Sequence, residues 1–93
     1  MTAYLSRTSS AEYWEFLFGT KNLYNGCSDS YYVRNLQHYL NICSGRTWTT
    51  ITEDGSFGAN TETAVRAYQA AFGLTADGIA GSATKSSLVE SPD

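Results

Sequence analysis

The sequence predicts a mainly α-helical protein, a small three-helix bundle with an additional N-terminal helix. A duplicated motif is the main observation behind this prediction, because residues 54–61 (DGSFGANT) recur in weaker form as residues 77–84 (DGIAGSAT). Each copy is followed by apolar residues at helical spacing. In such a unit glycines permit a sharp entry and a threonine holds the first helical turn, so both copies predict a turn that leads into a helix.

Length and composition restrict the architecture and the partners. With 93 residues the chain is expected to form one domain with a thin core. Nine Asp and Glu residues outnumber six Lys and Arg residues, so neither nucleic acid nor an anionic membrane surface is an expected partner. Seven tyrosines are many for so small a core, and some are expected on a surface that binds sugars or proteins.

An N-terminal helix is predicted after a capping box formed by Ser9 and Glu12. The helix should run through the aromatic residues of 13–18, which share one broad face, and end at Gly19.

Three further helices follow from the spacing of apolar residues, at about 30–42, 59–72 and 83–89. The second of these should end at a left-handed glycine, Gly73. Residues 47–52 are rich in β-branched side chains and are predicted to be extended or to form a short strand. The expected core consists of Val33, Leu36, Leu40, Ile51, Phe57, Val65, Phe72, Leu74, Ile79 and Leu88.

Cys27 and Cys43 are separated by a segment that reads mostly as helix. About 13 helical residues place its ends roughly 20 Å apart, whereas a disulfide needs Cα atoms within about 7 Å. Two unbridged thiols are therefore the preferred interpretation, and a disulfide is the second. A metal site is the third, because the lone His38 and the absence of a Cys-x-x-Cys motif leave few ligands. We expect no cofactor and no metal.

No catalytic site is predicted. An aspartate ahead of glycine usually bonds N–H groups within its own turn, so the motif residues are interpreted as structural. His38 lies off the apolar stripe of its helix, and the sequence places no nucleophile or carboxylate near it. The structural turn residues are Asp54, Gly55, Gly58, Asp77, Gly78 and Gly81.

Three blocks of residues carry a family resemblance: VRxLQxxLN at 33–41, DGxFGxxTxxAVxxYQ at 54–69 and GLxxDGIxGxxTxxxL at 73–88. In this order and at these separations they resemble the peptidoglycan-binding domain of bacterial and phage cell-wall hydrolases. Ala59 and Ser82 stand where that family usually has proline, and both are tolerable there. The resemblance divides the chain into an N-terminal aromatic helix and loop extension at 1–29, a peptidoglycan-binding-like domain at 30–90 and a frayed tail at 91–93.

The resemblance implies a non-catalytic, endolysin-like module, not an enzyme, that binds murein and anchors an attached or associated lytic or wall-remodelling activity. The same fold occurs in the prodomain of matrix metalloproteases, so it does not always bind walls. The main alternative is a protein-interaction or assembly module of a phage or injection particle. A fragment of a lytic enzyme and an enzyme in its own right are the further alternatives. An exposed face at Trp14 and Phe18 would favour a protein partner, whereas a packed one would favour a self-contained binder.

Binding to murein needs aromatic planes for the sugars, and amide, hydroxyl or arginine groups for the stem peptide. The candidate ligand-binding residues off the apolar stripes are Arg34, Gln37, Tyr39, Trp48, Asn60, Arg66 and Gln69. Each could instead be an ordinary surface or packing residue, and Gln37 and Gln69 could bond a loop backbone. Neither a signal peptide nor a membrane span is visible, so we expect synthesis in the cytoplasm and action at the cell wall or in a virus-like particle.

Overall fold

The computed structural model describes residues 14–44 and 48–90, and four helices lie within them. Helix α1 is described over residues 14–18, α2 spans Ser30–Ile42, α3 spans Ala59–Ala71 and α4 spans Ser82–Glu90. The predicted helical fold and its three bundle helices are confirmed. The capping box at Ser9 and Glu12 and the tail 91–93 lie outside the described residues.

Helix α2 lies at the centre of the bundle and contacts both α3 and α4. Its apolar stripe of Val33, Leu36 and Leu40 is fully buried, as its spacing predicts. Val65 and Leu88 bring α3 and α4 into the same core.

Helix α3 ends as the sequence predicts, at a left-handed glycine. Gly73 has a φ of 75°. The Gly73 N–H lies 3.4 Å from the carbonyl of Ala70, and the Leu74 N–H donates to the carbonyl of Gln69 at 2.7 Å. These two bonds form a Schellman motif, which satisfies carbonyls that the helix end would otherwise leave unpaired.

Two of the predicted core residues are exposed. Phe72 caps the end of α3, where its ring stacks on Tyr68 at 4.4 Å but remains 42% exposed. Ile79 is 39% exposed because the second turn buries its next residue, Ala80, in the position that Phe57 fills in the first turn. Ile51 and Leu74 are half-buried.

The segment around 47–52 forms no strand over its described part, 48–52. The backbone pairing seen in the described ranges is an isolated antiparallel bridge between Leu23 and Ala80. No helix within those ranges is long and apolar enough to cross a membrane. Cys27 and Cys43 are half-buried thiols, and no disulfide joins them.

Helix α1 packs its aromatic face onto the bundle. Phe18 is fully buried and its ring meets that of Tyr39 edge to face, with centroids 5.4 Å apart, while Trp14 is 9% exposed. Phe16 points to solvent. The described part of the aromatic face is therefore covered by the chain's own core.

A buried lysine ties α4 to the end of α1. Lys85 Nζ donates to the carbonyl of Gly19 at 2.9 Å and to that of Lys21, and it lies 5.4 Å from the centroid of the Trp14 ring. Burial lowers the pKa of Lys85, and the nearby carboxylates of Asp29 and Glu15 partly offset that effect. No local sequence pattern predicts this contact.

Candidate functional site

A buried glutamine organises the first Asp-Gly turn. Gln37 Oε1 accepts from the Gly55 N–H at 2.9 Å, and Gln37 Nε2 lies 3.0 Å from the carbonyl of Ser56. The same Nε2 lies 3.2 Å from Asp54 Oδ1 and 3.0 Å from Thr61 Oγ1, so its two N–H groups are shared among three acceptors. One side chain on α2 thereby holds both the turn and the first residues of α3.

The second turn repeats this arrangement around Gln69. Its Oε1 accepts from the Gly78 N–H at 3.0 Å. Its Nε2 lies 3.1 Å from Asp77 Oδ1, and 3.0 Å from both the carbonyl of Ile79 and Thr84 Oγ1. The structure therefore contains two copies of one glutamine-centred turn.

The structure of these two turns argues against a ligand-binding role for two of the proposed residues. Gln37 and Gln69 are each only 1% exposed, and their amides are fully engaged inside the protein. The alternative reading, in which each glutamine bonds a loop backbone, describes both of them. Neither is available to a ligand on the surface.

The carboxylate of the first turn is held in its charged form. The Ser56 N–H donates to Asp54 Oδ1 at 3.0 Å and is the main cause that lowers the pKa of Asp54, followed by Gln37. The positive charge of Arg34 lowers it further. Asp54 is therefore negatively charged at neutral pH.

The second turn uses an equivalent set of groups. The Ile79 N–H, Gln69 and the charge of Arg66 lower the pKa of Asp77, with the Ile79 N–H as the largest contribution. Arg66 Nη2 also donates to Glu62 Oε2 at 3.1 Å, one helical turn away. Both arginines proposed for ligand binding thus stand three residues before a turn-holding glutamine, and the charge of each lowers the pKa of the aspartate in the same turn.

The two copies differ in the connection from the helix to the turn. Eleven residues, 43–53, lead from α2 to the first turn, whereas five residues, 72–76, lead from α3 to the second. The longer connection carries Trp48 and the threonines of 49–52 across the N-terminal half of α3.

This longer connection and α3 enclose a cleft of about 330 Å³. We call it the threonine cleft, and it is lined by Trp48, Thr49, Thr50, Ile51, Thr52, Asn60, Thr63 and Ala64. Its polar groups are four hydroxyls and one side-chain amide. Two of the proposed ligand-binding residues, Trp48 and Asn60, meet here.

A second hollow of about 230 Å³ adjoins the threonine cleft and shares Ile51, Thr52 and Asn60 with it. It runs along the first turn past Asp54 and Ser56 to the start of α3. The charged residue among those that line the two hollows is Asp54.

The wall of the threonine cleft is fixed at two points. At one end, Asn41 accepts from the Ile51 N–H and donates to the Ile51 carbonyl, both at 2.8 Å. At the other end, the ring of Trp48 packs edge to face on that of Tyr68, with centroids 5.9 Å apart. Trp48 Nε1 is buried and has no acceptor in the described part of the chain. Asn41 is not among the predicted site residues, because its partner lies ten positions away in a connection of unpredicted path.

The remaining proposed residues do not line the threonine cleft. Arg34 is exposed on α2, and Tyr39 is half-buried against Phe18.

His38 has a carboxylate neighbour that the sequence did not predict. Its Nδ1 lies 3.2 Å from Glu53 Oε1 on an exposed surface. Asn41 donates to Glu53 Oε2 at 2.9 Å and is the largest cause that lowers the pKa of Glu53, with His38 contributing. Within the described ranges, no cluster of three or more His, Cys, Asp or Glu residues is placed to hold a metal ion.

Comparison with known families gives one match. Residues 30–88 match the family model described as "Putative peptidoglycan binding domain". The matched segment contains α2, both glutamine-centred turns and the threonine cleft. No curated protein matches the chain. No solved structure matches it either.

Proposed function

Because this chain belongs to the peptidoglycan binding domain family, we propose that it is a non-catalytic module that binds bacterial cell-wall murein and anchors an attached or associated lytic or wall-remodelling activity. The family match over residues 30–88 is the observation that carries the proposal. Its site of action would be the cell wall. Weak binding by a single module is sufficient when the partner activity is tethered to it, because tethering raises the effective concentration.

The titratable groups support a binding role over a catalytic one. Asp54 and Asp77 each bond an N–H within their own turn, which accounts for both carboxylates. The pairing of His38 with Glu53 lies on an exposed surface, outside both hollows. General acid–base chemistry needs a group within hydrogen-bond reach of a bound substrate, and the described residues that line the threonine cleft include no titratable side chain.

The packing of α1 supports a wall-binding module over an assembly module of a phage or injection particle. An assembly surface would be expected to expose the Trp14 and Phe18 face, but these side chains are buried in the core. The assembly reading remains the second candidate, because Phe16, Tyr24 and Tyr31 are exposed aromatic residues.

Co-sedimentation with insoluble murein sacculi tests the proposal, together with a muropeptide release assay on the same samples. We expect the purified chain to sediment with sacculi and to release no muropeptides. Release would overturn the non-catalytic assignment. Absence of sedimentation would overturn wall binding and favour the alternative, in which the chain binds a protein partner.

A matched pair of variants separates specific binding from unspecific sedimentation. Asn60 is the second residue of α3 and Ala83 is the second residue of α4, in equivalent positions of the two copies, and both are exposed. Only Asn60 faces the threonine cleft. Asn60→Met should therefore weaken sedimentation, whereas Ala83→Met should leave it unchanged.

A further inference from the structure

Building on the proposed wall binding, we infer that the threonine cleft recognises the glycan strand of murein, a chain of neutral 2-acetamido sugars, and not the charged stem peptide. Three observations carry the inference: the cleft is additional to what the hydrogen bonds of the turn require, its described lining is uncharged, and the two described arginines, Arg34 and Arg66, do not line it.

The second copy of the turn shows what the fold requires. Gln69 reaches Asp77 across eight positions, whereas Gln37 reaches Asp54 across 17. The short connection is sufficient for the same hydrogen bonds, so the longer one is not needed to hold the turn. Residues 48–52 of the longer connection form one wall of the cleft.

The lining has the chemistry of a binding site for neutral sugars. Threonine hydroxyls donate and accept hydrogen bonds, and the amide of Asn60 does both, which matches the hydroxyl and acetamido groups of such sugars. Trp48 and Ile51, which are partly exposed, supply apolar surface for a sugar ring or an acetyl methyl group.

Charge disfavours the stem peptide at this site. Murein stem peptides carry free carboxylates, which need a cation or an arginine fork. None of the described residues that line the threonine cleft is charged. The adjoining hollow contains Asp54, whose lowered pKa keeps it negative and repels a carboxylate.

The two described arginines contribute to the charge balance of the turns. Arg34 and Arg66 occupy equivalent positions, three residues before Gln37 and Gln69, and each stabilises the charged aspartate of its own turn. The two copies thus share an electrostatic role for the arginine in its own turn, and neither arginine is among the described residues that line the threonine cleft.

Contacts within the chain hold the wall of the cleft. The paired bonds between Asn41 and Ile51 hold its backbone, and the ring of Trp48 is packed on Tyr68. Because little conformational entropy of this wall is lost on binding, a few hydrogen bonds in a shallow cleft can give useful affinity.

Competition for sacculi distinguishes the two ligands. The probes are a neutral β-1,4-linked N-acetylglucosamine tetramer and a free stem pentapeptide, each added to the co-sedimentation assay with the full chain. Backbone amide chemical shifts of the isotope-labelled protein are followed with the same two probes. We expect the sugar tetramer to displace the protein from sacculi and to shift the amides of residues 49–52 and 60–64, and the peptide to do neither.

Single substitutions test whether the tetramer binds in the threonine cleft. Asn60→Met should weaken binding of the tetramer by about 3- to 10-fold through the lost amide hydrogen bonds, and Ala83→Met should change it by less than about twofold. Arg34→Ala and Arg66→Ala should each leave binding of the tetramer within about twofold.

Displacement by the stem peptide, or by neither probe, would overturn the glycan assignment while wall binding stands. Equal affinities of the Asn60→Met and Ala83→Met variants for the tetramer would overturn the assignment of the cleft. A wild-type chain that does not sediment with sacculi would instead refute the proposed function itself.

Discussion

Gln37 and Gln69, 32 positions apart, make the same four hydrogen bonds to two different turns, and the paired distances differ by no more than 0.1 Å. Each amide accepts from a glycine N–H and donates to the carbonyl that follows it. The duplicated sequence motif is therefore half of a larger duplicated unit, whose other half is a glutamine on the preceding helix.

Removal of one glutamine amide should destabilise the fold. Gln69→Ala leaves the N–H of Gly78 and the carbonyl of Ile79 without their bonds, and we expect the free energy of unfolding to fall by about 2–4 kcal/mol. Urea unfolding measures the change. The control is Ala70→Gln, which places the same amide at the next, exposed position and should stay within about 0.5 kcal/mol of wild type. A loss below about 1 kcal/mol for Gln69→Ala would show that water satisfies the turn.

The two turn glycines should differ in their tolerance of alanine. Gly55 and Gly78 both have positive φ, at 80° and 76°, so each substitution is strained by about 1–2 kcal/mol. A Cβ at Gly55 would lie 2.9 Å from the backbone oxygen of Ser30, whereas one at Gly78 meets the flexible side chain of Glu62. Gly55→Ala should therefore cost more than Gly78→Ala.

Thermal unfolding of the two variants checks this order. Gly58→Ala is the control, because no atom lies within 4 Å of its added Cβ and its φ is negative. Equal losses at Gly55 and Gly78 would mean that α2 moves to relieve the contact with Ser30.

Acid should weaken the fold through the two turn aspartates. Their pKa values are lowered in the folded protein, so their contribution is complete above the unfolded value near 4 and is lost as the pH falls through the folded values. The double variant Asp54→Asn/Asp77→Asn keeps an acceptor oxygen in each turn and does not titrate. We expect its free energy of unfolding to decline less steeply than that of wild type below about pH 4. If the free energy of unfolding of the double variant fell as steeply with pH as that of wild type, the two aspartates would not be the cause of the acid sensitivity.

The sequence could predict what is set by local chemistry. The positions of α2, α3 and α4 follow from apolar spacing, and the Gly73 cap follows from a glycine at the end of that spacing. The burial of Phe57 could also be anticipated. Apolar character alone mispredicts Ile79 as buried, whereas the repeat aligns Ile79 with the exposed Ser56 and the buried Ala80 with Phe57.

The candidate site was less predictable because its parts meet across the chain. Trp48 and Asn60 were identified by polarity and aromatic character, but their common cleft depends on where the long connection lies. Asn41 contributes through a backbone ten residues away. Outside the candidate site, Lys85 likewise bonds carbonyls more than 60 residues away. Polar helix residues with such partners look like surface residues in the sequence.

Lys85→Met should loosen the attachment of α1. Methionine can occupy a similar volume, but the buried carbonyl of Gly19 loses its donor, and we expect the free energy of unfolding to fall by about 1–3 kcal/mol. Hydrogen exchange at the Gly19 N–H, which donates to Glu15, should accelerate more than exchange within α2. Lys21→Met is the control, since it removes an exposed lysine and keeps the backbone carbonyl that Lys85 bonds. If both variants matched wild type in stability and exchange, aromatic packing alone would hold α1 in place.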